Sequence, residues 1–167
     1  LMTWPLITQI NTAYAGNNED LWTSQWDNWW TRYALQHGYD MLFTPVQFYP
    51  AAVSLPAHSL SFTNSLLWIP LSALFGAIAA YNLTVLLTFI LSGYTMFKLA
   101  EYLLGSVKPG SVDQETYVPI ANHRSLIAAL IAGLIYAFAP YHFSQSLGHV
   151  SLASVQWFPL LVLFILK

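Results

Sequence analysis

The sequence contains no cysteine and very few charged residues. None of its 167 residues is Cys, and only 7% are Asp, Glu, Lys or Arg. The lack of cysteine excludes disulfides, thiolate nucleophiles and cysteine metal ligands. Soluble domains carry about 25% charged residues, so this composition cannot build an ordinary water-facing surface. The net charge of −2 is too small to indicate nucleic acid as a partner.

Apolar residues make up 56% of the chain and are grouped in long stretches. Three stretches predict helices that cross a bilayer, which takes about 20 apolar residues. They are residues 77–104, 124–139 and 150–166. The third contains Pro159, which predicts a kink there. Residues 64–76 are apolar but short and are interrupted by Pro70, so we interpret them as an interfacial or re-entrant helix.

The stretches divide the chain into three parts. Residues 1–7 are expected to be the end of a transmembrane helix, and residues 8–76 a long outer loop with interfacial helices. Residues 77–167 then hold three transmembrane helices, joined by one cytoplasmic loop and one small outer loop at 141–149. The predicted fold is all-α and polytopic. Since the chain opens on Leu1 and stops as a helix finishes, we expect it to be part of a longer polypeptide.

The positive residues predict how the chain is oriented. Lys98, Lys108, Arg124 and Lys167 fall on one side of this arrangement, and Arg32 alone falls on the other. By the positive-inside rule, the loop that holds Lys108 is cytoplasmic. The tryptophan-rich first loop and the 141–149 loop then both face outwards, where they could build one site. The expected location is the cell membrane, with the bilayer as the first partner.

Residues 19–33 (EDLWTSQWDNWWTRY) show a helical pattern with two faces. The aromatic face holds Trp22, Trp26, Trp29, Trp30 and Tyr33. The polar face holds Asp20, Ser24, Asp27 and Thr31. Periodicity alone favours an amphipathic helix in the headgroup layer, with its carboxylates solvated. The alternative is that Asp20, with Asp27, faces a reaction centre as a general base or metal ligand.

The order of segments carries a resemblance to a known family. The outer loop GNNEDLWTSQWDNWW is followed by HGYDMLFTPVQFYP and LLWIPLSALFG. Next come AYNLTVLLTFILSGYTMFKLAEYLLG, ALIAGLIYAFAPYHFSQSLGH and VQWFPLLVLFILK. The chain resembles the amino-terminal part of bacterial multi-spanning GT-C type glycosyltransferases, in the group related to YfhO-like proteins and to the arabinose and mannose transferases.

The resemblance implies an activity and a set of residues. Such enzymes move a sugar from a polyprenyl-phosphate carrier to an acceptor at the outer membrane face. Their first outer loop holds an essential acidic residue, which Asp20 matches best, with Glu19 as a competitor and Asp27 in a second acidic place. The second outer loop of many relatives is also acidic, whereas YHFSQSLGH here has only His142 and His149. No metal is therefore assigned, although a divalent cation stays open.

The departing phosphate of this reaction needs positive charge or hydrogen-bond donors. Arg32, His142 and His149 are the candidates near the first loop. Alternatives remain for each of them: lipid-headgroup contact for Arg32, and hydrogen-bonded loop positions for the two histidines.

Two readings of the whole chain remain open. The first is part of a glycosyltransferase that is inactive as this fragment alone, because the family's carboxy-terminal part is missing. The second is a non-catalytic subunit or truncated remnant in a larger membrane complex with other membrane subunits. A transporter is disfavoured, since the predicted spans contain almost no ionisable residue. A stripe in the first span, Thr84, Thr88, Ser92 and Thr95, is interpreted as helix packing rather than a lipid groove.

Overall fold

The computed structural model describes residues 4–16, 19–55, 61–106 and 123–167. This part of the chain is mostly helical, in agreement with the predicted all-α class, and contains one short β-hairpin. It forms two compact units, Leu1–Leu86 with Ser144–Ala153 and Leu87–Phe143 with Ser154–Lys167.

The secondary structure elements run as follows. The helices are α1 (Trp4–Thr8), α2 (Glu19–His37), α3 (Phe62–Phe75), α4 (Ala77–Ser106), α5 (His123–Ala137), α6 (Pro140–Ser146), α7 (Val150–Ala153) and α8 (Trp157–Leu166). Strands β1 (Phe43–Thr44) and β2 (Val53–Ser54) pair antiparallel. The predicted loop around Lys108 lies largely outside the described residues.

Helix α4 is the one described helix that is long and apolar enough to cross a membrane by itself. Its 30 residues measure about 45 Å at 1.5 Å each, more than the roughly 30 Å of a hydrocarbon core. Helices α5 and α6 are bent by 41° at the break between them, and they pass the same test only when taken together. Helix α3 and Val150–Leu166 are shorter apolar segments. Within the described ranges the chain therefore has one helix of spanning length, or two if the bent pair counts as one span.

Two local predictions at the carboxy-terminal end are wrong. Residues 141–149 are not a polar loop, because Pro140 begins α6 and the helix continues to Ser146. Proline suits the first position of a helix, where its missing N–H has no acceptor to lose. The predicted kink at Pro159 is also misplaced: the interruption falls at residues 154–156, and Pro159 lies in the first turn of α8. In that turn the N–H that proline lacks would have no partner within the helix.

In the first unit, the second half of α2 packs against the hairpin. Trp30, Ala34 and Leu55 are fully buried together. Partly buried apolar side chains surround them: Trp26, Tyr33, Met41 and Val53. The hairpin is short, but it closes the apolar side of α2 near its carboxy-terminal end.

The helices bury polar side chains and expose apolar ones. The stripe of Thr84, Thr88, Ser92 and Thr95 along α4 is buried throughout, which favours its interpretation as helix packing. Large apolar side chains are exposed on α5 and α8: Ile127, Leu130, Leu134, Ile135, Phe158, Leu161, Phe164 and Ile165. A helix in water shows the opposite arrangement.

Helices α4 and α5 of the second unit cross at two glycines, which gives a stability prediction. A Cβ at position 133 would lie 2.6 Å from the Gly93 carbonyl oxygen and 3.2 Å from the Phe97 Cβ. We expect Gly133→Ala to destabilise the protein by about 1–3 kcal/mol, the usual cost of overpacking. The measurement is thermal unfolding of the purified protein in detergent.

Gly105→Ala is the matched control, because a Cβ there would meet nothing within 4 Å. The same substitution near the carboxy-terminal end of α4 should leave stability unchanged or raise it by up to about 1 kcal/mol through helix propensity. Equal stability of the two variants would contradict the close crossing at Gly93 and Gly133.

Candidate active site

Asp20 and His149, two of the residues proposed from the sequence, are in direct contact in the first unit. Asp20 Oδ2 lies 2.8 Å from His149 Nδ1. The two side chains are partly open to the surface, with 53% of Asp20 and 34% of His149 exposed. The structure therefore brings the first loop and the 141–149 segment together at a carboxylate–imidazole pair.

Local structure places each member of this pair. Asp20 is the second residue of α2, where a carboxylate interacts favourably with the positive end of the helix. His149 directly precedes α7, and its carbonyl oxygen accepts the N–H groups of Leu152 and Ala153, each at 2.9 Å. Asp20 thus extends from the first turn of one helix, and His149 from the residue before another. The backbone at each position is fixed by the helix that follows.

Polar contacts through α3 hold the two segments in register. Asn64 donates its Nδ2 to the Val150 carbonyl oxygen at 3.1 Å. The neighbouring Ser65 donates its hydroxyl to Asn28 Oδ1 on α2 at 2.9 Å. Since Asn64 and Ser65 are buried, α3 links the residue after His149 to the helix that carries Asp20.

The turn before α2 is held by Asn82 of α4. The fully buried amide of Asn82 donates to the carbonyl oxygens of Ile10 and Ala13, each at 2.8 Å, and accepts the Ala15 N–H at 2.7 Å. Gly16 follows with φ +126°, and a Cβ at this position would overlap the Leu147 carbonyl. Only glycine combines this backbone conformation with so close an approach. The turn therefore contacts the 141–149 segment directly, two residues before His149.

Aromatic rings pack beside this turn. The Tyr14 ring makes edge contacts with Trp22 and Tyr81, with centroid distances of 5.6 and 5.5 Å. Partial burial raises the pKa of the Tyr14 hydroxyl above its ordinary value, so it stays protonated at neutral pH. Trp22 itself is 65% exposed.

Asp27 and Arg32 are not beside the pair. At 1.5 Å per residue they lie about 10 Å and 18 Å along α2 from Asp20. Asp27 is buried, with 3% of its surface exposed, so the interpretation of a helix with all its carboxylates solvated is wrong for this residue. Arg32 is half-buried and forms no ion pair with any residue that the structure describes. The side chain of Glu19 lies outside the described part of the chain.

His142 has a different environment, in the second unit. Its ring is fully buried and stacks on Phe89 at 4.0 Å. Its Nε2 lies 3.1 Å from the Thr88 hydroxyl, and its Nδ1 lies 2.8 Å from the Ala137 carbonyl oxygen. These contacts join α6 to α4 and to the end of α5, and we leave His142 out of the proposed site.

Sequence reasoning missed the residues that hold the pair in place. Neither Asn82, which opens an Asn-Leu-Thr glycosylation sequon, nor Asn64, the first residue of the apolar 64–76 stretch, was predicted to have a role in a site. The available signal was an amide at the edge of a long apolar stretch, because such a group must find partners if it is buried.

The described residues contain no group of three or more His, Asp or Glu suited to a metal ion.

Comparison of the chain with protein-family models, with curated proteins and with solved structures gives no match.

Proposed function

We propose that this chain is part of a membrane glycosyltransferase that moves a sugar from a polyprenyl-phosphate carrier to an acceptor at the outer membrane face. The contact between Asp20 and His149 carries the proposal. The sequence assigned these residues to two loops on the same outer face, one loop holding the essential acidic residue that the family resemblance implies.

The pair suits the chemistry of sugar transfer. A hydroxyl of the acceptor attacks the anomeric carbon, and a new carbon–oxygen bond forms there. The bond from that carbon to the phosphate oxygen breaks, and its electron pair leaves with the lipid phosphate. The hydroxyl proton is taken up by the carboxylate–imidazole pair and then passes to water. Because a sugar hydroxyl is a weak nucleophile, removal of this proton by a positioned base typically gives a factor of about 10²–10⁴ in rate.

The distribution of polar and apolar side chains over the helices supports a membrane location. Polar side chains are buried along α4, while α5 and α8 expose large apolar ones. In lipid, apolar side chains cost nothing when exposed, and polar ones bond across helix contacts. The exposed Trp22 beside Asp20 fits a position at the interface, where tryptophan is enriched.

The orientation predicts a labelling pattern in this cysteine-free background. Single cysteines are introduced at Gln36, an exposed residue near the end of α2, and at Ser111, which lies outside the described residues. An impermeant thiol reagent on intact cells should label position 36 and not position 111, with both labelled once the membrane is opened. Labelling of position 111 alone on intact cells would reverse the orientation and exclude the Asp20–His149 pair from the outer face.

The function is tested in membranes that contain the complete protein. A radiolabelled polyprenyl-phosphate sugar is supplied, and label is followed into lipid-free or glycan products. Transfer above that of membranes lacking the protein is the expected result. No transfer from carriers of several sugars would overturn the proposal and favour a non-catalytic subunit.

A further inference from the structure

We infer that His149 is the group that takes the proton from the acceptor, and that Asp20 positions it. This inference rests on the proposed function and deepens it, since it assigns different roles to the two members of the pair. The family resemblance alone would have given the proton to an acidic residue. The geometry of this chain points instead to the imidazole.

The two side chains meet at Nδ1 of the imidazole ring. Asp20 Oδ2 contacts Nδ1 of the ring at 2.8 Å. A carboxylate at this distance favours the tautomer with its hydrogen on Nδ1, which leaves the lone pair of the neutral ring on Nε2. The same contact stabilises the imidazolium that forms when Nε2 takes a proton. In this arrangement the carboxylate acts through the ring and keeps its own charge.

The backbone is held in place on both sides of His149. Two residues earlier, the Leu147 carbonyl is pressed against Gly16. One residue later, the Val150 carbonyl accepts the Asn64 amide at 3.1 Å. Proton transfer depends on a fixed distance between base and hydroxyl, so a residue held on both sides is a better base than one on a free loop.

Solvent exposure distinguishes the two histidines that were proposed from the sequence. The His149 side chain is 34% exposed, which is enough for contact with a bound acceptor. His142, by contrast, is fully buried between Phe89, Thr88 and the end of α5. Of the two histidines proposed from the sequence, His149 is the one that is partly exposed and contacts Asp20.

The proton can be followed through one turnover. As the acceptor oxygen bonds to the anomeric carbon, its hydrogen moves to His149 Nε2 and the ring becomes an imidazolium paired with Asp20. The bond from the anomeric carbon to the phosphate oxygen breaks, and the lipid phosphate leaves with the electron pair. The imidazolium then returns its proton to water, which restores the neutral ring.

The first part of the test examines the contact without any activity assay. Asp20→Cys and His149→Cys are combined in the complete protein, which should then be cross-linked by a short-spacer bifunctional maleimide. The control combines Arg32→Cys with His149→Cys; since Arg32 lies about 18 Å further along α2, it should not be cross-linked. Absence of the 20–149 cross-link would overturn the inference whatever the activity.

The second part measures sugar transfer by His149→Ala. We expect kcat to fall about 10²–10⁴-fold, the usual effect of losing a general base. Added imidazole should raise the kcat of His149→Ala at least about tenfold, because the space left by the missing ring is open to the surface. His37→Ala, which changes an exposed histidine at the end of α2, should be unaffected by imidazole and nearly as active as the unmodified protein.

The third part separates a positioning residue from a base. Asp20→Asn added to His149→Ala should cost little more than His149→Ala alone, because Asp20 acts through the ring. If Asp20→Asn lowered the activity of His149→Ala by the same factor as it lowers that of the unmodified protein, Asp20 would act independently and the inference would be overturned. Near-normal activity of His149→Ala, or a loss of its activity that imidazole does not restore, would also overturn it. If the cross-link forms but the unmodified protein transfers no sugar, the proposed function itself fails.

Discussion

Replacement of Asp20 by asparagine in the complete protein should reduce sugar transfer about 10²–10⁴-fold while leaving the protein folded and inserted. Asparagine keeps the size of the side chain and its ability to accept a hydrogen bond from the ring. It removes the negative charge, and with it the group that stabilises a protonated His149 across their 2.8 Å contact. The loss should appear in kcat, measured with a radiolabelled carrier, with normal amounts of protein in the membrane.

Two neighbouring carboxylates provide the comparison for Asp20. Asp27→Asn should cost less of the transfer rate, because Asp27 is buried about 10 Å further along α2 and cannot reach the same proton. Glu19→Gln should cost least, since a rotation of 100° per residue turns Glu19 away from Asp20 and toward the aromatic face of the helix. Near-normal activity in all three variants would return α2 to the interpretation of an interfacial anchor without catalytic function.

The largest effect on stability is expected for Asn82→Ala. The buried amide of Asn82 makes three hydrogen bonds to the backbone of residues 10–15. At a net contribution of about 1 kcal/mol each, their loss should lower the free energy of unfolding by about 3 kcal/mol, with more added if the backbone groups stay buried. Thermal unfolding in detergent measures the change. Transfer activity should fall as well, because the turn that contacts Leu147 is no longer held.

Thr84→Val is the matched control for Asn82→Ala. Thr84 is buried two residues further along the same helix, and its hydroxyl bonds only to the Ala80 carbonyl oxygen one turn earlier. Its replacement should change stability by less than about 1 kcal/mol. The control also removes the Asn-Leu-Thr sequon while keeping Asn82. If both variants were equally stable, Asn82 would not be what holds the turn.

Sequence pattern was sufficient for the long helices and insufficient where the chain turns. The run of apolar residues from Ala77 predicted α4 because hydrophobic length is a direct property of the sequence. The position of the break near Pro159 was wrong, because proline interrupts a helix in its interior and not in its first turn. Whether Pro159 lies in a helix interior or in a first turn depends on where the helix begins. No single residue at 154–156 marks that beginning in the sequence.

The candidate site was predicted in part. The sequence suggested Asp20 and His149 separately, since both lie in segments expected on one face. Their contact depends on Gly16, Asn64 and Asn82, each of which bonds to or touches backbone far away in the chain. Such contacts leave no periodic signal. The burial of Asp27 was missed for a related reason: helical periodicity gives the direction of a side chain, but not which direction is covered by α3 and the hairpin.

The contact between the beginning and the later part of the first unit has a consequence during synthesis. Ribosomes add about 5–20 residues per second, so the roughly 130 residues between Asp20 and His149 take on the order of 10 s to emerge. During that interval Asn28 can already meet Ser65, and Asn82 can close the turn at residues 10–15. Asp20, however, has no imidazole to meet. The pair is thus among the last contacts of its unit to form, together with the bond from Asn64 to Val150. A nascent chain arrested before His149 would carry a folded α2 and α3 with the site half made.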